Sequence, residues 1–266
     1  MNMTTRRQFI ESMPKNLHSL EIGALCNPIL HPSSHNNKIL DVFDKETLVK
    51  NYSSDPNVDV SRIVHVDYVW RSGMPRMAYD ALIPTERFDL VISSHNIEHQ
   101  PDLIGHLNNV SSVLKENGKM YMFIPDYRYC FDHFKSPTRI HEVLAAHLTG
   151  QTQPSVSSVM EHFILSGHND PSAHWAGRHS MSKEYDVDHL VSTYKTWQKR
   201  IDDCGGCGDL PYIDTHVWKF CPEVFRKMIQ TLLGMQLIDL AVESCTETMP
   251  NVFEFYVVLK KTSTRA

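Results

Sequence analysis

Residues 88–126, FDLVISSHNIEHQPDLIGHLNNVSSVLKENGKMYMFIPD, change hydrophobic period twice, and that change leaves few folds open. Phe88 to Ser94 is a compact apolar run, as expected of a strand covered on both faces. From Asp102 the period becomes helical: Leu103, Ile104, Leu107, Val110, Val113 and Leu114 recur on one face, Pro101 and Asp102 suit the first turn, and Asn117-Gly118 supplies a stop. Lys119 to Ile124 is a strand again, closed by Pro125. The first of these strands ends in His95-Asn96-Ile97-Glu98-His99. Open α/β sheets bind ligands in the crevice beyond the C-terminal ends of their strands, so this polar corner reads as the edge of a site.

The same alternation extends upstream. Residues 4–13 predict a short lead-in helix, Leu17 to Ile22 a strand ending at Gly23, and Lys38 to Asp44 a second strand that ends in an acid. Thr47 to Tyr52 predicts a helix broken at Ser53-Ser-Asp-Pro56, and Arg62 to Val69 a third strand. Five strands alternating with helical segments predict a doubly wound parallel sheet. Residues 127–210 differ: they are aromatic, rich in His, Ser and Pro, helical at Ile140 to Leu148 and Val187 to Ile201, and fit a lid or acceptor platform over the strand ends. A helix from Pro222 to Leu233 and a hairpin-like pair, Gln236 to Glu243 and Val252 to Leu259, follow. The expected organisation is therefore a core over 1–126, a helical and irregular insertion over 127–210, and a return to the core over 211–266.

At 266 residues with 41% hydrophobic content the chain is long enough for one such core with an inserted subdomain. A formal net charge of −5 offers no broad cationic field for a polyphosphate backbone, so nucleic acid is not an expected partner. No apolar run reaches 18 residues, and the start MNMTTRRQFIESMPKN lacks a signal-like apolar centre; an integral membrane segment is not expected, and a cytoplasmic location is. Cys26, Cys130, Cys204, Cys207, Cys221 and Cys245 include one CxxC, whose Gly-Gly centre favours a tight turn over half a zinc site.

In LEIGALCNP, Gly23 lets the backbone turn and a ligand approach closely. Asp44 closes the second strand 21 residues later, near the spacing at which a carboxylate meets the ribose hydroxyls of a nucleotide-like cofactor. Asp41 is its rival. The ordered set LEIGALCNP, ILDVFD, FDLVISSHNIEHQPD and LKENGKMYMFIPD resembles the class I S-adenosylmethionine-dependent methyltransferases over residues 17–126, and less closely over 211–259. The first loop departs from the family's ExGxGxG by keeping only Gly23, with Leu25 and Pro28 beyond it. The resemblance implies a Rossmann-like seven-stranded sheet with an antiparallel last strand and a mostly helical insertion after the fifth. It implies contacts of Glu21, Gly23 and Ala24 with the methionine moiety, Asp44 with the ribose, the region of Asp67 to Trp70 with the adenine, and Ser94, His95 and Asn96 on the sulfonium side.

Methyl transfer is an in-line displacement at an activated carbon, so the protein must align the reactants and, for a hydroxyl acceptor, remove a proton. Histidine is the economical base near neutral pH, and His95, His99, His133 and His216 are the candidates. His95, Glu98 and His99 also have the i, i+3, i+4 spacing of a divalent metal site, although the further oxygen ligands such a site needs are not evident, and no metal is favoured. Tyr127, Arg128, Tyr129, His174, Trp175 and Arg178 mix aromatic, imidazole and guanidinium groups that suit a glycan or other small sugar-containing acceptor. The expected function is methylation of such an acceptor at oxygen. A nicotinamide-dependent oxidoreductase and a catalytically silent methyltransferase-like subunit are the alternatives.

Overall fold

The computed structural model describes residues 5–14, 17–70, 79–206 and 211–262. Its centre is one seven-stranded sheet in the order β3-β2-β1-β4-β5-β7-β6. Strands β1 (Ser19–Ile22), β2 (Asn37–Asp41), β3 (Tyr68–Val69), β4 (Phe88–Ser94) and β5 (Leu114–Pro125) are parallel. β7 (Glu254–Lys261) runs antiparallel between β5 and β6 (Leu240–Cys245). The sheet is therefore doubly wound with an antiparallel last strand, the architecture implied by the family resemblance.

Strand alternation divides the apolar side chains between two layers. Val91, Met120, Met122, Val257 and Leu259 face α4 (Leu103–Val113) and α9 (Pro222–Gly234) in the main core. Leu90, Ile92, Tyr121, Phe123, Tyr256 and Val258 face the other way. There they are covered by Phe9 and Met13, carried by and just after α1 (Arg6–Glu11). Phe9 is fully buried among Tyr121, Phe123 and Tyr256, and Arg6 lies 4.2 Å over the Phe123 ring. The lead-in helix thus closes one face of the sheet and delivers Arg6 to the ends of β4 and β7.

Several expected boundaries move. β2 stops at Asp41, whose carbonyl accepts from Trp70 N–H, and the chain then turns so that Asp44 caps α2 (Lys45–Tyr52) by accepting Thr47 N–H. β3 is only two residues long: Asp59 caps a 3-10 turn at Val60–Arg62, and the strand begins at Tyr68, just after Asp67 N–H bonds Ile39 O on β2. β6 and β7 each begin a few residues later than expected, after Gln236 takes φ +59° at the end of α9. The insertion holds α5 (Ile140–Thr149), α6 (Val156–Leu165), α7 (Pro171–Trp175) and α8 (Val187–Asp203). Sequence periodicity identified only α5 and α8. A further short helix, α3, spans Tyr79–Leu82. Gly205 and Gly206, at φ +82° and +144°, form the turn that ends α8; Cys207 lies outside the described residues. Among the described residues, no helix is long and apolar enough to cross a membrane.

Candidate active site

A cavity of about 820 Å3 opens at the C-terminal ends of β1, β2 and β4, where an open sheet of this winding places ligands. Gly23, Asp41, His95, Asn96 and His99 line it together. Gly23 has φ +71°, and a Cβ built there would stand 3.2 Å from Asn96 Nδ2. A side chain at residue 23 would therefore press on the Asn96 amide at the exit of β4. Leu25 holds a left-handed φ of +44°, so the loop keeps a conformation that glycine would adopt more cheaply. Gly23→Ala is expected to lower stability by about 1–2 kcal/mol, measured by urea denaturation, from the left-handed φ alone.

Asp41 is 8% exposed and lines the cavity from the end of β2. Burial pushes its carboxyl up to about 6, against the Val42 and Phe43 backbone N–H groups that favour the charged form. Asp44, the acid expected there, is exposed on the first turn of α2 and is absent from the lining, because its carboxylate serves that helix's N-terminus. Glu21 is 2% exposed, accepts hydrogen bonds from Ile29 N–H, Leu30 N–H and Asn37 Nδ2, and is pushed up to about 7 by burial. It orders the loop after β1 from behind. Ala24 packs in a small core with Cys26 and Ile39, and Asp67 bonds Lys38 Nζ and Ile39 N–H. Neither lines the cavity, whereas Trp70 does.

His95 has φ +49°, and its Nε2 lies 2.9 Å from Glu254 Oε2, which also accepts from Arg6 at 2.6 Å. Burial works against the Glu254 charge, but His95 and Arg6 outweigh it and hold the carboxyl below its usual range. Ser94 accepts from Arg6 and is not part of the lining. Asn96 is fixed by a 3.0 Å bond from Gln100 Nε2 to its Oδ1. His99 donates Nδ1–H to Asp214 at 2.9 Å. Burial opposes its charge, yet Asp214 and Glu98 prevail and raise it.

His216 lies behind His99, edge-on at 4.7 Å between ring centroids, and bonds Asp132 at 2.5 Å. It is 7% exposed and is not part of the lining. Asp132, itself held by Lys135, is kept down at about 2: burial opposes this, and His216 and Lys135 overcome it.

His133, expected as a base, stands elsewhere, stacked on His179 at 3.9 Å and beside His174. The expected acceptor group gathers around it and away from the cavity lining. Tyr129 stacks on Trp175 at 4.0 Å, and Trp175 donates to Val252 O. Arg128 is paired with buried Asp126, His174 is buried, and Arg178 is exposed. Tyr127 is half-buried on the 3-10 turn Tyr127–Tyr129. What the insertion gives the cavity instead is His147, at the last turn of α5, with Gln151 and Thr152 just beyond. Asp214, Tyr212 and Glu254 were not singled out from the sequence. Asp214 stood two residues before His216, but Glu254 bears on His95 from 159 residues away, a separation no local pattern encodes.

Fold and cavity together define a doubly wound sheet with an antiparallel last strand and a cavity at the β1, β2 and β4 ends. Among solved structures, the chain is similar to the CurJ carbon methyltransferase at 12% identity and a TM-score of 0.42, over 97% of this chain and 52% of that one. It is also similar to a putative S-adenosylmethionine-dependent methyltransferase from Listeria monocytogenes at 11% identity and 0.41, over 97% of both chains. A putative Zn-dependent alcohol dehydrogenase from Rhodobacter sphaeroides is similar at 12% and 0.44, over 97% and 90%. The chain spans about half the length of the CurJ chain. With TM-scores below 0.5, these likenesses bring neither a reaction nor an acceptor to this chain. No family model matches the chain, and no curated protein does.

Proposed function

We propose that this protein transfers the methyl group of S-adenosylmethionine to a hydroxyl oxygen of a sugar-containing acceptor. The observation that carries the reading is the convergence of Gly23, Asp41, His95 and Asn96 on one cavity wall. In this reading Asp41 accepts both ribose hydroxyls, the bare backbone at Gly23 and the Asn96 amide flank the methionine moiety, and Trp70 stands on the adenine side. The departure from the expected ribose residue follows from where β2 ends. The sulfonium then lies beside His95, and the acceptor approaches past His99, Tyr212 and Asp214.

Proton removal falls to His95. Its Nε2–H is donated to Glu254, which leaves the lone pair on Nδ1 and fixes the ring. The acceptor oxygen attacks the methyl carbon as the carbon–sulfur bond breaks, and the electron pair stays on sulfur as a neutral thioether. A wall that mixes Tyr52 and Tyr212 rings with Asn108, Asn109 and Gln151 amides suits an acceptor with C–H faces and hydroxyls. The oxidoreductase alternative finds less support, since the first loop has no GxGxxG to carry a pyrophosphate.

The test is transfer of a radiolabelled methyl group to sugar, nucleotide-sugar, lipid-linked glycan and phenolic acceptors, with S-adenosylhomocysteine binding followed by calorimetry. No binding of S-adenosylhomocysteine at millimolar concentration would overturn the reading. A pH dependence is also expected. Ionised Asp41 accepts hydroxyl protons and its neutral form does so weakly, so affinity for S-adenosylhomocysteine should rise about tenfold as pH rises through 6. In Asp41→Asn that rise should be absent.

A further inference from the structure

Glu98, at the β4 exit, is 1% exposed, and among the described residues neither of its carboxylate oxygens accepts a hydrogen bond. A buried carboxylate without donors is costly unless a cation compensates it. Three imidazoles surround it. His95 Nδ1, His99 Nε2 and His216 Nε2 each stand 3.8 Å from Glu98 Oε1. That separation is too long for a hydrogen bond and close to the spacing of ligands that share a metal ion.

The far nitrogen of each ring is held by a carboxylate: Glu254 for His95, Asp214 for His99 and Asp132 for His216. Those bonds fix the tautomers that leave lone pairs on the inward nitrogens, the outer-shell pattern of metal-binding histidines. The backbone supports the same corner, since Glu98 O accepts both Val217 N–H and Trp218 N–H and so pins the strap carrying His216.

We propose that Glu98, His99 and His216 bind a divalent transition cation. Their ligand atoms lie within 4.8 Å of one another, and two imidazoles with one carboxylate form a donor set for Zn2+, Mn2+, Fe2+ or Co2+. His99 also lines the cavity, so the open coordination positions meet the acceptor's side of it. The catalytic part of this inference rests on the methyltransferase reading: the cation acidifies the acceptor hydroxyl, His95 Nδ1 takes the proton, and the oxygen forms its bond to the methyl carbon as the carbon–sulfur bond breaks.

The second imidazole group, His133, His174 and His179, is a weaker competitor although its nitrogens are equally close. The His133 and His179 rings are stacked 7° from parallel at 3.9 Å, so one ion cannot lie in both ring planes. Among the described residues, no carboxylate without a hydrogen bond stands with them.

The test is titration of the full chain, stripped with chelator, with Co2+ followed by visible absorption and with Mn2+ followed by electron paramagnetic resonance, both without cofactor. The expected result is one cation per chain, with affinity reduced at least ~10-fold in Glu98→Gln and in His216→Gln and unchanged in His133→Ala. Calorimetry with S-adenosylhomocysteine on the same variants confirms folding and reports on the methyltransferase reading separately. Cation binding without cofactor binding would leave the metal site standing and remove the reaction; cofactor binding without cation binding would do the reverse. Should both variants fail to fold, the wild-type Co2+ spectrum decides, since nitrogen and carboxylate ligation differs in band position and intensity from the aquo ion. A stripped wild-type chain that takes up neither ion, or affinity lost only in His133→Ala, would overturn the proposal.

Discussion

Replacing Asp41 by alanine lowers affinity for S-adenosylhomocysteine by about 100-fold, from loss of two charge-assisted hydrogen bonds at about 1.5 kcal/mol each. The effect is large because Asp41 is buried at the end of β2 and is the acid that β2 presents to the cavity. Asp44→Ala is the informative companion. It removes the side-chain cap on Thr47 N–H and costs about 1 kcal/mol of stability, with cofactor affinity within twofold of wild type. Calorimetry at pH 7.5 and urea denaturation of the two variants separate the roles. Equal affinity in wild type and Asp41→Ala would end the assignment of the ribose to β2.

His95→Ala is expected to reduce kcat by about 10^2 to 10^4, the range for loss of a positioned general base, with S-adenosylhomocysteine affinity changed less than threefold. The ring is held by Glu254, which Arg6 also bonds, so its loss leaves Glu254 with one partner fewer. A purely structural role would appear as weaker cofactor binding and lower stability. Loss of a base would instead appear as a kcat that no longer falls toward acid and is partly restored by added imidazole. Turnover at the wild-type rate in His95→Ala would refute the role. Glu254→Gln should give an intermediate loss, because the amide still holds the ring but stabilises an imidazolium less.

Much of the sheet was legible because a buried parallel strand has to be apolar on both faces and a crossover helix on one. Phe88–Ser94, the helix after Asp102 and the strand after Gly118 therefore stood out without any tertiary knowledge. The same reading overran β2 by three residues, since Val42 and Phe43 are as apolar as the strand before them. What ended the strand was the capping of α2 by Asp44, a choice between two acids three residues apart. That three-residue difference moved the expected ribose contact from Asp41 to Asp44.

The insertion was hardest to read. Its aromatic and imidazole residues have the composition of an acceptor platform, but Tyr129 and Trp175 are satisfied by each other, and Arg128 by Asp126. Composition cannot tell a side chain that meets a ligand from one that meets its neighbour. His147 and Gln151, which do reach the cavity, carried no distinguishing pattern.

The sequence by itself determined the winding of the sheet, the glycine turn after β1 and the placing of a polar corner at the end of β4, because each follows from hydrophobic period or backbone sterics within a few residues. Only the tertiary structure decided which acid faces the cavity and which carboxylate stands behind each imidazole. It also decided that Glu98 is buried with no protein hydrogen bond to its carboxylate. The imidazole–carboxylate pairs depend on distant chain segments meeting at one edge of the sheet, as Glu254 meets His95, Asp214 meets His99 and Asp132 meets His216.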